Sequence, residues 1–125
     1  GRSIMPLLRG ERADWPHDVF VQISEAQCGR AIRTKRWKYC VDAPEPWDKH
    51  RGADKYVEQY LYDLEADPYE LNNLVHAKSH ETVRQVLRKR LLHRMKEVGE
   101  PEPQIVPAEV QGSGQRSVSA EEARQ

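Results

Sequence analysis

At one junction, Tyr60-Leu61-Tyr62-Asp63-Leu64 runs into Glu65-Ala66-Asp67-Pro68-Tyr69-Glu70-Leu71-Asn72-Asn73-Leu74, and it constrains the fold more than any other part of the chain. Residues 56–64 alternate apolar and polar side chains, the period of a strand with one buried face. Pro68 lacks the N–H that a sheet ladder needs and fixes its own φ, so the strand must stop before it. Asp67, Asn72 and Asn73 carry side chains that hydrogen-bond nearby backbone and hold a turn, with Leu71 and Leu74 expected to point inward and anchor it.

A strand that ends in so fixed a turn needs partners, and the chain upstream supplies them. Val19-Phe20-Val21-Gln22-Ile23 is β-branched and aromatic enough for a buried strand, and the polar loop 24–29 closes on a turn-permissive glycine. Residues 30–41 read as a second strand, with Ala31, Arg33, Lys35, Trp37 and Tyr39 on one face and Arg30, Ile32, Thr34, Arg36, Lys38 and Cys40 on the other. Neither face is wholly apolar, and a bulge near 34–36 is expected. Residues 43–55 hold two prolines, Gly52 and many charges without period, the composition of an exposed loop.

After the turn the period changes from two to 3.6. Val83, Val86, Leu87, Leu91, Met95 and Val98 form one stripe, Ser79 is a suitable N-cap, Gly99 a stop, and Pro101 prevents resumption. Arg88, Lys89, Arg90, His93, Arg94 and Lys96 surround the stripe and lie late in the helix, where cations oppose its dipole. The fold class is therefore α+β: a small antiparallel sheet of three or four strands with one helix over 79–98 across one face. Residues 1–16 read as a linker whose patch Ile4-Met5-Pro6-Leu7-Leu8 packs against something. Residues 17–99 read as the folded unit, and residues 100–125 as an extended or disordered tail.

Three segments in order carry a resemblance to a known family. Residues 1–10 are similar to the linker by which sulfatases leave their catalytic domain. Arg30-Ala31-Ile32-Arg33-Thr34-Lys35-Arg36-Trp37-Lys38-Tyr39 resembles one of that family's strands, and residues 60–74 resemble its "lYDLexDPxELnNL" signature. The resemblance covers residues 1–107 and is to the C-terminal subdomain alone. It implies that the chain is a piece of a longer protein, with any export signal out of view, and that its partner is a catalytic domain not contained in it. Apolar surface left uncovered would then favour self-association. The resemblance also implies that the loop between the first two strands approaches the rim of the substrate cleft, making Gln22, Ser24, Glu25, Gln27, Arg30 and Arg33 the substrate-rim candidates.

The family's chemistry needs a formylglycine made from Cys or Ser in a Cys/Ser-x-Pro/Ala-x-Arg motif, beside calcium or another divalent metal. Cys28 is followed by Gly-Arg-Ala-Ile and Cys40 by Val-Asp-Ala-Pro, so neither fits. No catalytic residue, metal ligand or cofactor is assigned to this chain, which by itself should not hydrolyse sulfate esters. The alternate acids Asp63, Glu65 and Asp67 open like a calcium loop, but Pro68 stands at the sixth position and Leu74 at the twelfth, where such a loop needs Gly and Glu. Two cysteines make neither a disulfide framework nor a closed zinc site, and whether they pair is left open. His17, His50, His76, His80 and His93 show no metal spacing.

A different reading is a free-standing polyanion-binding module that uses the basic strand 30–38 on sulfated glycans or nucleic acid. The 20 basic residues cancel the 20 acidic ones, which makes a nucleic-acid partner unlikely on charge grounds. No apolar run approaches the roughly 20 residues that span a bilayer, so no membrane partner is expected, and the compartment is left open.

Overall fold

The computed structural model describes residues 2–11, 14–46, 52–111 and 118–125. Among them the order is α1 (Met5–Leu8), β1 (Asp18–Ser24), β2 (Cys28–Thr34), β3 (Trp37–Asp42), β4 (Lys55–Asp63), a 3-10 turn (Lys78–His80), α2 (Glu81–Glu97), β5 (Gln104–Val106) and α3 (Ala120–Ala123). The strands form one sheet in sequence order, β1 to β4 antiparallel and the short β5 parallel to β4. The fold is α+β as expected, with one strand more than the sequence suggested.

The expected strand over 30–41 is instead the hairpin β2–β3. Thr34 turns the chain: its Oγ1 accepts from the Arg36 amide at 3.3 Å and the Trp37 amide at 2.9 Å, a side chain replacing the next ladder bond. The bulge expected at 34–36 is therefore a two-residue turn, and it reverses the face parity. Arg30, Ile32 and Thr34 point to the helix side together with Trp37, Tyr39 and Val41, all buried. A register irregularity does occur, opposite Cys40 and Val41, where Gln59 is the extra residue of β4. It lets Tyr56 and Glu58 on one side of it and Leu61 and Asp63 on the other all face inward.

Asn73 clamps that irregularity. Its Nδ2 donates to the Gln59 carbonyl at 2.8 Å, and its Oδ1 accepts from the amides of Leu61 at 3.0 Å and Val75 at 3.1 Å. Asp63 accepts from the Glu65 and Ala66 amides and Asp67 from the Asn72 amide. Asp63 and Asp67 of the acidic run are thus turn caps, as their chemistry suggested. Leu74 packs on the core, but Leu71 is 78% exposed, because Glu70 takes a positive φ of 57° and swings it outward.

Helix α2 buries Val83, Leu87, Leu91 and Met95 against the sheet, and with them Arg84. Ser79 is not its N-cap: it sits in the preceding 3-10 turn, where its Oγ meets His80 Nδ1 at 2.9 Å. Val98, expected on the buried stripe, is exposed because the helix closes there. The Glu100 amide reaches the Met95 carbonyl and the Gly99 amide that of Lys96, with Gly99 at φ 85°. This is a Schellman stop.

Two apolar segments are less covered than expected. Val19, Val21 and Ile23 of the edge strand β1 face away from the helix and are exposed, only Phe20 reaching the core. Helix α1 likewise leaves Ile4, Met5, Leu7 and Leu8 open to solvent. The described parts of the extended C-terminal segment contribute to the core. Ile105 joins the core through β5, and Val118 and Ala123 bury themselves beside Trp37, whose Nε1 donates to the Glu122 carbonyl at 3.2 Å. Disorder expected across 112–117, the loop residues 47–51 with His50, and linker residues 1, 12 and 13 lie outside the described residues.

No helix among the described residues is long and apolar enough to cross a membrane. Both cysteines are free thiols, Cys28 buried and Cys40 half-buried on the open sheet face.

Candidate substrate-rim site

Three connections meet at one end of the sheet: the β1–β2 turn, the β3–β4 loop and the segment after α2. Among the six rim candidates, Gln22, Ser24 and Arg30 are brought together there, but bonded within the chain in one shared network. Arg30, 4% exposed, donates from Nε to both carboxylate oxygens of Glu100 at 2.8 and 3.1 Å. Its Nη1 donates to the carbonyls of Ile23 at 3.0 Å and Gly29 at 2.8 Å and to Ser24 Oγ at 3.1 Å. Gln22 Nε2 donates to the same Glu100 carboxylate. Beneath lies the Tyr56 ring, 5.7 Å from the guanidinium carbon, with its hydroxyl 3.5 Å from Cys28 Sγ. Burial first, then the thiol neighbour, pushes the Tyr56 hydroxyl well above the ordinary tyrosine range.

Glu25 and Gln27 are exposed at the tip of the turn. Gln27 also lines a shallow cavity of about 230 Å³ on the open sheet face, with Val21, Gly29, Cys40, Asp42 and Tyr60. Partial burial holds the Asp42 carboxyl above its usual value. Its Oδ1 lies over Gly29, where a Cβ would come within 2.6 Å of it, so the glycine makes room for the carboxylate. Burial likewise pushes the Cys40 thiol up to about 11.

Arg33 does not join this end. It is exposed on the open face, five residues along β2 from Cys28, a run of roughly 16 Å at strand rise. Lys35 is exposed in the turn beyond it, whereas Lys38 is paired with Glu70 at 2.6 Å.

The periodicity of the sequence missed the residues that organise the interior. Glu58, 2% exposed, accepts from Tyr39 Oη at 2.9 Å, Arg84 Nη1 at 3.0 Å, Arg88 Nε at 3.0 Å and Nη2 at 2.5 Å, and the Ala108 amide at 3.0 Å. One carboxylate thus joins β3, β4, α2 and the C-terminal segment. Asp18, clasped by Arg90 and Arg94, ties β1 to the same helix. The only signal available was a charged residue falling on each apolar stripe, as Glu58 does between Tyr56 and Leu61.

Among the described residues no three His, Cys, Asp or Glu side chains converge as a metal site would require.

No protein-family model matches the chain, and no curated protein sequence matches it. Solved structures do. The sulfatase-like protein yidJ of Bacteroides fragilis aligns at TM-score 0.55 and 21% identity over 78% of this chain. BT4656, solved with its substrate D-glucosamine-2-N,6-O-disulfate, aligns at 0.63 and 21% over 82%. A sulfatase-like protein of Bacteroides thetaiotaomicron aligns at 0.56 and 25% over 78%. The chain spans only 19, 21 and 20% of their respective lengths. The resemblance read from the three segments is borne out in the backbone: this chain has the fold of about one fifth of a sulfatase.

Proposed function

We propose that the chain is the C-terminal subdomain of a sulfatase-like sulfuric ester hydrolase, completing its fold and shaping the rim of its substrate cleft while contributing no nucleophile or metal ligand. The observation that carries this reading is the match of about four-fifths of the chain to about one fifth of sulfatase structures, one of them solved on a disulfated glucosamine. The formylglycine and its divalent metal would belong to the remaining part of the parent protein. The exposed β1 face and helix α1 support a docked partner, since apolar patches rimmed by polar residues mark interaction sites.

Glu25 and Gln27 are the rim residues of this reading, because hydrogen-bonding groups exposed at a loop tip suit sugar hydroxyls. Two experiments test it. The purified chain should leave a generic aryl sulfate intact with calcium or magnesium present, and metal-dependent turnover would overturn the non-catalytic assignment. In the longer protein that contains this chain, Glu25→Ala with Gln27→Ala should raise KM for a sulfated sugar and leave a small aryl sulfate unaffected. Equal kinetics on both substrates would remove the rim role.

A further inference from the structure

The Arg30 guanidinium touches every connection at its end of the sheet. It bonds the Ile23 carbonyl and Ser24 Oγ on one side of the β1–β2 turn and the Gly29 carbonyl on the other. Its Nε is fixed by Glu100, which the Schellman stop of α2 delivers to that point. Across the β3–β4 loop, Gly52 sits at φ 84°, and a Cβ there would stand 2.8 Å from Arg30 Nη2 and 3.0 Å from Tyr56 Oη. Tyr56 Oη in turn accepts from the Ala53 amide at 3.2 Å. A planar fork with five donors can serve several acceptors in fixed directions, which a lysine cannot.

We infer that Arg30 is a positioning residue rather than a substrate contact: anchored by Glu100, it holds the β1–β2 turn and the Gly52 end of the β3–β4 loop as one unit, with Gln27 beside Asp42 and Glu25 exposed at the tip of the turn. This rests on the rim reading for its functional meaning. The chemistry that unit offers is specific. Two carboxylates and one amide accept and donate to hydroxyl or amino groups, while the carboxylates repel a nearby sulfate. On the rim reading, that chemistry suits the hydroxylated part of a sulfated sugar better than its sulfate.

The clamp is testable in this chain without any substrate, by amide hydrogen exchange and nuclear magnetic resonance shifts of Arg30→Lys. Exchange should quicken at least tenfold at Cys28 and Ala53 together, with smaller changes at Leu87 and Leu91 in α2. Quickening confined to one of the two loops, or equal at every amide, would overturn the coupling. Should Arg30→Lys fail to fold, Glu100→Gln keeps the arginine and removes only its charged anchor, and the same two patterns decide. Loss of the rim role in the parent protein would leave this exchange result standing, so the two failures are distinguishable.

Discussion

Replacing Glu58 by Gln tests what holds the sheet, α2 and the C-terminal segment together. The carboxylate is shared by Tyr39, Arg84, Arg88 and the Ala108 amide. Arg88 can turn to solvent, but Arg84 is 2% exposed, and its Nε already lacks a hydrogen-bond partner among the described residues. A neutral amide leaves that guanidinium charge buried without a counterion, a change that costs about 3–5 kcal/mol. Small domains hold only about 5–15 kcal/mol in all, so a large share of the stability is at stake. In urea, at a slope of about 1.5 kcal/mol/M, the midpoint should fall by about 2–3 M. Replacing both partners, Glu58→Leu with Arg84→Met, should recover much of the loss, because two apolar groups leave no orphaned charge. A midpoint shift under 0.5 M for the single variant, or a double variant no better than it, would refute the reasoning. The pH response follows from the same contacts. Burial pushes the Glu58 carboxyl up, but the Ala108 amide, Arg88 and Tyr39 outweigh it and hold the carboxyl below its usual value. Its stabilisation is therefore complete above the unfolded carboxylate pKa of about 4.3 and lost as pH falls through the lower folded value. Glu58→Gln should show a shallower acid decline than the parent chain.

Other outcomes follow from the surface. Cys40, held up to about 11, should be alkylated slowly at pH 8, with a rate rising about tenfold per pH unit toward that value; a plateau near pH 8.5 would contradict it. Val21→Lys, placed on the exposed row of β1, should lower any self-association of the chain, measured by sedimentation velocity, and unchanged association would exclude that face. Arg33→Glu with Lys35→Glu should scarcely alter heparin retention at physiological salt. Tight binding by the parent chain that the double variant abolishes, with folding intact, would favour the polyanion module instead.

The sequence by itself determined the period-two and period-3.6 segments, the turn at Pro68 and the glycine stop of α2, because each depends on local sterics or on hydrogen bonds within a few residues. It also determined that Cys28 and Cys40 lack the flanking residues of the family's nucleophile. Which way side chains faced was decided elsewhere. Thr34 converted one apparent strand into a hairpin, and an extra residue at Gln59 shifted β4, two single-residue events that invert faces without altering the hydrophobic pattern much. Only the tertiary structure revealed Glu58, Arg84 and Glu100 as organisers, since a buried charge is recognisable by its partners, and these lie on strands and helices distant in sequence. The same limit applied to the rim. The resemblance singled out Gln22, Ser24, Glu25, Gln27, Arg30 and Arg33 together, but only the packing of Glu100 against β2 separated Gln22, Ser24 and Arg30, which brace the turn, from Glu25 and Gln27 at its tip.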